Sequence, residues 1–321
     1  MRTGARLTLY GLGLVVAFGG AYGVAGAVVP ESTVAGWTEG STMNGHGEEH
    51  GAAGAGSAEA TDGGLGGLAL GVDGFALSSV EAPAVVGEPG ELSFQVHDAA
   101  GAPVTKYTTT HEKDLHLIVV RSDGGQFRHV HPVLDEGSGT WSIPWEWAAA
   151  GSYRVFADFT PTGADESART LTRTVQVAGD LVPVEQRPTR TAQVDGYTVT
   201  VDGELVAGTS SGLTFTVTRD GEPVTVLEPY LGAFGHLVAL RDGDLAYLHV
   251  HAEGGDPEAG QTAGPTIAFA AEAPTVGRYL LYLDFQVDGQ VHTAELVLDA
   301  APGADSSEPT DPDDGSHPEG H

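Results

Sequence analysis

The stretch Leu115-His-Leu-Ile-Val-Val-Arg-Ser-Asp-Gly-Gly-Gln-Phe-Arg-His-Val-His131 decides how this chain is read. An apolar, β-branched run, the turn dipeptide Asp123-Gly124 and a second short run predict two antiparallel strands joined by a tight turn. Centring the turn on that dipeptide sets His116 opposite His131 and Ile118 opposite His129. Residues two apart share a face, and opposed Cβ atoms stand about 4.5–5.5 Å apart. Three imidazoles therefore converge on one patch. A slip of one residue would turn one strand's histidines to the other side of the sheet.

The pattern His-x12-His-x-His occurs twice. His116, His129 and His131 match His236, His249 and His251 at a constant spacing of 120 positions, and Pro103-Val104 matches Pro223-Val224 at the same spacing. With Gly243-Asp244 at the second turn, His236 is expected opposite His251 with His249 beside them. One spacing shared by several elements means a duplicated domain.

Short alternating runs separated by Gly, Asp and Pro surround both motifs, with no amphipathic helix of convincing length. Leu92-Ser-Phe-Gln-Val, Tyr153-Arg-Val-Phe-Ala-Asp-Phe and Thr170-Leu-Thr-Arg-Thr-Val-Gln-Val are strands of the first copy. Leu213-Thr-Phe-Thr-Val, Tyr279-Leu-Leu-Tyr-Leu-Asp-Phe and Val291-His-Thr-Ala-Glu-Leu-Val-Leu are their counterparts in the second. The expected architecture is all-β, two tandem immunoglobulin-like β-sandwich domains, residues 67–179 and 180–300. The linker is placed where Pro183, Arg187 and Pro188 interrupt the strand pattern.

Outside the modules, Arg2 and Arg6 precede a charge-free stretch from Leu7 to Val29. That length can cross a hydrocarbon core of about 30 Å, with positive charge on the side expected to stay cytoplasmic. Residues 1–30 read as a signal anchor, a single-pass transmembrane helix that holds the body outside the cytoplasm at the cell membrane. Ala25-Gly26-Ala27 offers the alternative of signal cleavage and secretion. Residues 31–66, rich in Gly, Ala and His, read as a flexible spacer, and acidic residues 301–321 as a disordered tail.

Composition narrows the chemistry. Cysteine is absent, which excludes disulfides, thiolate metal sites and cysteine nucleophiles. The 44 acidic against 14 basic residues give a formal charge of −30, which repels phosphate backbones, so no nucleic acid partner is expected. Gly-x-Ser-x-Gly, His-Glu-x-x-His and phosphate-cradling loops are missing, and no enzymatic activity is expected.

Clustered neutral imidazoles without sulfur suit copper(II), zinc or nickel. The expected metal ligands are His116, His129, His131, His236, His249 and His251. His292 is the fourth candidate in the second module, and His111 or Asp114 in the first. Asp158 and Asp284, equivalent residues late in an apolar strand, are placed to hydrogen-bond a ligand histidine from behind. The competing reading makes the histidines braces of hairpin register. Trp141, Trp145 and Trp147 then serve either a contact surface or the sandwich core.

The stretches His111-Glu-Lys-Asp-Leu-His116 with Phe127-Arg-His129-Val-His131-Pro132, and Tyr230-Leu-Gly-Ala-Phe-Gly-His236 with Asp244-Leu-Ala-Tyr-Leu-His249-Val-His251, resemble exported, poorly characterised bacterial proteins. Such proteins carry tandem His-x12-His-x-His modules and are often labelled heavy-metal-binding or linked by analogy to copper handling. The resemblance spans roughly residues 67–300. It implies an extracytoplasmic β-sandwich that carries or senses a metal through the matching histidines. One departure is Ala252, where the first copy has Pro132 after the corresponding histidine.

The expected function is thus extracytoplasmic binding and carriage of a metal ion, copper or alternatively zinc, passed to a membrane metal transporter or another cell-surface protein. The alternative is a cell-surface structural or protein-interaction module whose histidines are structural.

Overall fold

The computed structural model describes residues 66–163, 167–255, 257–258 and 260–303. The expected signal anchor lies outside these residues, as do all but the end of the spacer and the start of the acidic tail. Among the described residues no helix is long and apolar enough to cross a membrane.

The chain folds as two β-sandwiches in tandem. In the first, one sheet orders β1 (Gly71–Val72), β2 (Phe75–Leu77), β3 (Gly90–His97), β8 (Thr140–Trp145) and β7 (Val133–Asp135). The facing sheet orders β10 (Arg169–Val177), β9 (Gly151–Pro161), β5 (Leu115–Arg121) and β6 (Arg128–Val130), with β4 (Tyr107–Thr108) also on β9. The second sandwich has one sheet of β11 (Thr191–Val194), β12 (Tyr197–Asp202), β13 (Ser210–Arg219), β17 (Thr266–Glu272) and β16 (His249–Ala252), with β14 (Glu222–Pro223) on β13. Its other sheet is β15 (His236–Arg241), β18 (Gly277–Val287) and β19 (Gln290–Ala300).

Each sandwich closes its own apolar core. Leu115, Leu117 and Val119 of β5 pack with Trp141, Trp145 and Trp147, so the three tryptophans are core residues. In the second copy Leu237 and Ala239 of β15 do the same against Phe215 and Phe269.

The other face of β5 is equally dry, because Ile118 and Val120 meet Val238 and Leu240 of β15 and Leu280 of β18. Every residue of β5 is buried, which is what a strand apolar on both faces requires. The sheet faces that carry His116 and His236 are therefore pressed together. Phe127 stacks flat on Tyr282 across this junction, with centroids 3.9 Å apart, and the Tyr282 hydroxyl donates to the Gly124 carbonyl at 2.6 Å. Gly124 sits at φ +80°, and a Cβ there would stand 2.4 Å from Leu280 Cδ1. The turn foreseen at Asp123-Gly124 is thus also a docking point. Asp123 holds Arg121 at 2.8 Å through both oxygens and accepts the Val184 amide of the inter-module segment.

The register of the first motif is as the sequence predicts: Ile118 pairs with His129 and Leu117 with Val130. The second motif departs from expectation. It starts alike, with Leu240 bridged to Tyr247, but the hairpin ends there. The next residues cross to the other sheet, where His249 pairs with Glu272 and His251 with Ala270 of β17. In the first copy Pro132 lacks the N–H that would extend a ladder, and the crossing waits until Val133. In the second, Ala252 permits pairing straight through the histidines.

Removing the Tyr282 hydroxyl leaves a buried carbonyl without its donor, which costs about 1–3 kcal/mol. We expect Tyr282→Phe to lower the urea midpoint accordingly. An unchanged midpoint would show that this junction adds nothing to stability.

Candidate metal centre

Strand β5 carries His116 next to Asp158 of β9, and alternation points it, with Ile118, toward the second module. Strand β6 sets His129 opposite Ile118, and His131 comes just beyond the strand. His116 Nδ1 lies 3.1 Å from His129 Nε2 and 3.2 Å from His131 Nε2. The ring centroids form a nearly equilateral triangle with sides of 5.3, 5.0 and 5.0 Å. Together these three histidines can hold a metal ion, one ligand atom each, all within 4.8 Å of one another.

The groups behind the rings settle their tautomers. His116 Nε2 faces the Thr110 carbonyl at 3.2 Å; a carbonyl only accepts, so Nε2 carries the hydrogen and Nδ1 is bare. His129 Nδ1 faces Asp284 Oδ2 at 2.8 Å, so Nδ1 donates and, in the neutral ring, Nε2 is bare. Two lone pairs then confront each other at 3.1 Å, which repels unless a cation stands between them. His116 Nδ1 has a single in-plane lone pair, so one proton relieves one contact of the three nitrogens. A metal ion relieves all of them.

Burial, aided by the charge that His129 would carry, pushes His116 down to about 3. The same causes, with His116 added, push His131 down to about 3. Both rings stay neutral across the physiological range, with lone pairs available for coordination. The His129 and Asp284 side chains are each 3 % exposed, so the carboxylate meets its histidine out of water, where such a bond is strongest.

The centre is not confined to one module. Asp284 belongs to the second sandwich, where Thr293 donates to its other oxygen. Its counterpart Asp158 accepts from Thr170 at 2.9 Å, and burial raises its pKa. His236 also enters from the second module, its ring 6.3 Å from both His116 and His129. Its Nε2 donates to the Leu231 carbonyl at 3.0 Å, and burial pushes it down to about 4. Exposed His111 stands 5.2 Å from His236 and 6.1 Å from His116.

Other expected ligands lie elsewhere. Asp114 is exposed and accepts from Thr109. His251 is exposed on the other sheet of the second sandwich, because β16 changed partner. His292, placed in a second-module shell by sequence, pairs with Phe285, one step from Asp284. That single step turns it to the opposite face, where Asp195 accepts from its Nδ1 at 2.8 Å and Tyr197 lies 4.8 Å away. His236 and His251 therefore lie on different sheets instead of facing each other across one hairpin. Sequence reasoning missed the junction itself. The signal for it was present in β5, whose apolar run lacks the alternation of a strand with one wet face.

The family described as a domain of unknown function, DUF8832, matches residues 71–179 and again 192–302. The chain belongs to this family. DUF8832 therefore occurs here as a tandem repeat, each copy supplying one sandwich. No curated protein matches the chain. Among solved structures it is similar to invasin, a bacterial integrin-binding protein, at 13 % identity and a TM-score of 0.21, covering 71 % of this chain and 39 % of that one. The Yersinia pseudotuberculosis adhesin InvE matches at 14 % identity and a TM-score of 0.21, covering 74 % and 61 %. Mouse nectin-like molecule 4 matches at 14 % and 0.18, covering 73 % and 66 %. The chain thus spans under two thirds of the first two relatives, and at these scores the likenesses carry no argument about function.

Histidine ring nitrogen NMR checks the tautomers in metal-free protein. We expect His116 as the Nε2–H form, His129 as the Nδ1–H form, and neutral His116 and His131 at about pH 5. Folded values near 3 against the ordinary 6.5 mean the unfolded chain gains protons first as pH falls. These two histidines thus favour folding fully above about pH 6.5, and that contribution declines toward pH 3. Titration of either ring near its ordinary value of 6.5 would contradict the arrangement.

Proposed function

We propose that this chain binds one transition-metal ion, copper(II) or zinc, between its two modules, with His116, His129 and His131 as ligands. The observation that carries the reading is the convergence of His116 Nδ1, His129 Nε2 and His131 Nε2, with an acceptor behind the rings of His116 and His129. Metal–nitrogen bonds of about 2.0–2.1 Å in tetrahedral geometry put ligand nitrogens about 3.3 Å apart. The separations of 3.1 and 3.2 Å fit that set with little movement.

Thr110 and Asp284 serve as the outer support of the ligands, and Asp284 raises the basicity of His129. Three protein ligands leave a position open, which suits a site that exchanges its ion. The net charge of −30 raises the local concentration of cations. In this reading the N-terminal apolar stretch holds the modules on the outer side of the cell membrane, where a membrane metal transporter is the receiving partner. The role is carriage, without catalysis.

Calorimetry of the full chain with copper(II) and with zinc tests the proposal. One tight equivalent per chain is expected, not one per module, because the second motif is split between sheets. His129→Ala and His131→Ala should each abolish it while circular dichroism stays unchanged, and His251→Ala should leave it intact. Asp284→Asn should weaken it by about 10–100-fold. Tight uptake that survives the paired loss of His129 and His131 would overturn the assignment, and absence of any tight uptake would leave the cluster structural.

A further inference from the structure

Of the three ligand histidines His116 is buried and His129 and His131 are half-buried, and an ion must reach the nitrogens that they share. His116 is 6 % exposed, whereas His111 is exposed and His236 half-buried. Exposure thus rises from His116 through His236 to His111, while half-buried His131 marks the other way in. The His111 and His236 rings stand 5.2 Å apart, the same spacing that separates the rings within the triad, and so the spacing of two imidazoles on one ion. His236 Nε2 is committed to the Leu231 carbonyl, which leaves Nδ1 as its free donor.

A second observation concerns the backbone that presents His111. Thr110 and Lys113 exchange amide–carbonyl bonds of 2.9 and 3.1 Å around a two-residue turn, with φ of +49° at His111 and +61° at Glu112. Such a turn favours Asn-Gly, because two side-chain-bearing residues in the left-handed region are disfavoured. The second module builds the same turn between Tyr230 and Ala233, with Leu231 at φ +55° and Gly232 at +76°. There Leu231 is buried at 2 % exposure. The first module alone places an imidazole at this position, in a disfavoured conformation, directed across the junction.

We propose that His111 and His236 form a transfer position, one histidine from each module, through which a divalent transition-metal ion enters and leaves the triad. This rests on the function proposed above and adds the route to it. The ion sheds water to two imidazoles at the rim, then moves to three inside. Once the triad is loaded, its charge repels a second cation at the rim, so the transfer position is occupied in passing. Lys113, whose charge disfavours a second positive charge at His131, adds to that repulsion.

The test uses the full chain, copper(II) ion alone as probe, and His111→Leu, which copies the residue that the second module's turn already accommodates. Stopped-flow loading and chelator-driven release are both measured. A residue on the path lowers the barrier in both directions, so both rates should fall by about tenfold together while the dissociation constant, their ratio, stays put. A structural role would instead change the affinity. Tight binding with both rates unchanged in His111→Leu overturns the transfer position and leaves the triad standing; entry then runs past His131. Altered affinity with an unchanged loading rate overturns it as well. Absence of tight copper uptake by the wild type removes the triad assignment itself, and this inference with it.

Discussion

The packing of the β5–β9 face on the β15–β18 face is the constraint on which the rest of the molecule depends. It buries Ile118 and Val120 against Val238 and Leu240 and removes water from one side of the histidine cluster. Without that covering layer His116 and His131 would be solvated and their pKa values ordinary, and His129 would lose the Asp284 carboxylate that the layer itself supplies. Apolar contact at the centre of the junction therefore creates the electrostatic character of its edge. The linker is tied into the same arrangement, since Gln186 donates to Asp123 of the first module and accepts from Arg278 of the second.

Duplication has produced asymmetry. Both copies keep an arginine–aspartate pair at the turn after the buried strand, Arg121 with Asp123 and Arg241 with Asp244. Both also keep an aspartate late in the long central strand, bonded to a threonine of its neighbour. They part where the second histidine strand chooses a partner. Staying on β5 as far as Val130 brings His129 and His131 beside His116; crossing early to β17 takes the second motif apart. From two equal motifs the fold assembles one cluster, fed by both modules.

Much of this was legible beforehand. The all-β class, the repeat and the pairing of Ile118 with His129 came from alternation, spacing and one turn dipeptide. Those are local signals, and local signals determine register within a hairpin. The partner change at His249 was not legible, because a His-Val-His run fits either sheet, and the choice depends on the residue after it, proline in one copy and alanine in the other. The face of His292 was lost for a related reason: a parity of one residue in β19 decides it, and that parity is set by the hairpin at Asp288-Gly289. The junction was overlooked because each module was read as complete in itself, although the unbroken apolar run of β5 is the mark of a strand covered on both sides.

His129 and the carboxylate that orients it are 155 residues apart in sequence. A chain made from its N-terminus has all three clustered imidazoles well before Asp284 exists, and the first sandwich alone supplies them without that support. The finished centre is thus a record of completed synthesis: its full basicity arrives only when the last long strands have folded and docked. Truncation in the second half would remove this support while leaving every imidazole of the cluster in place.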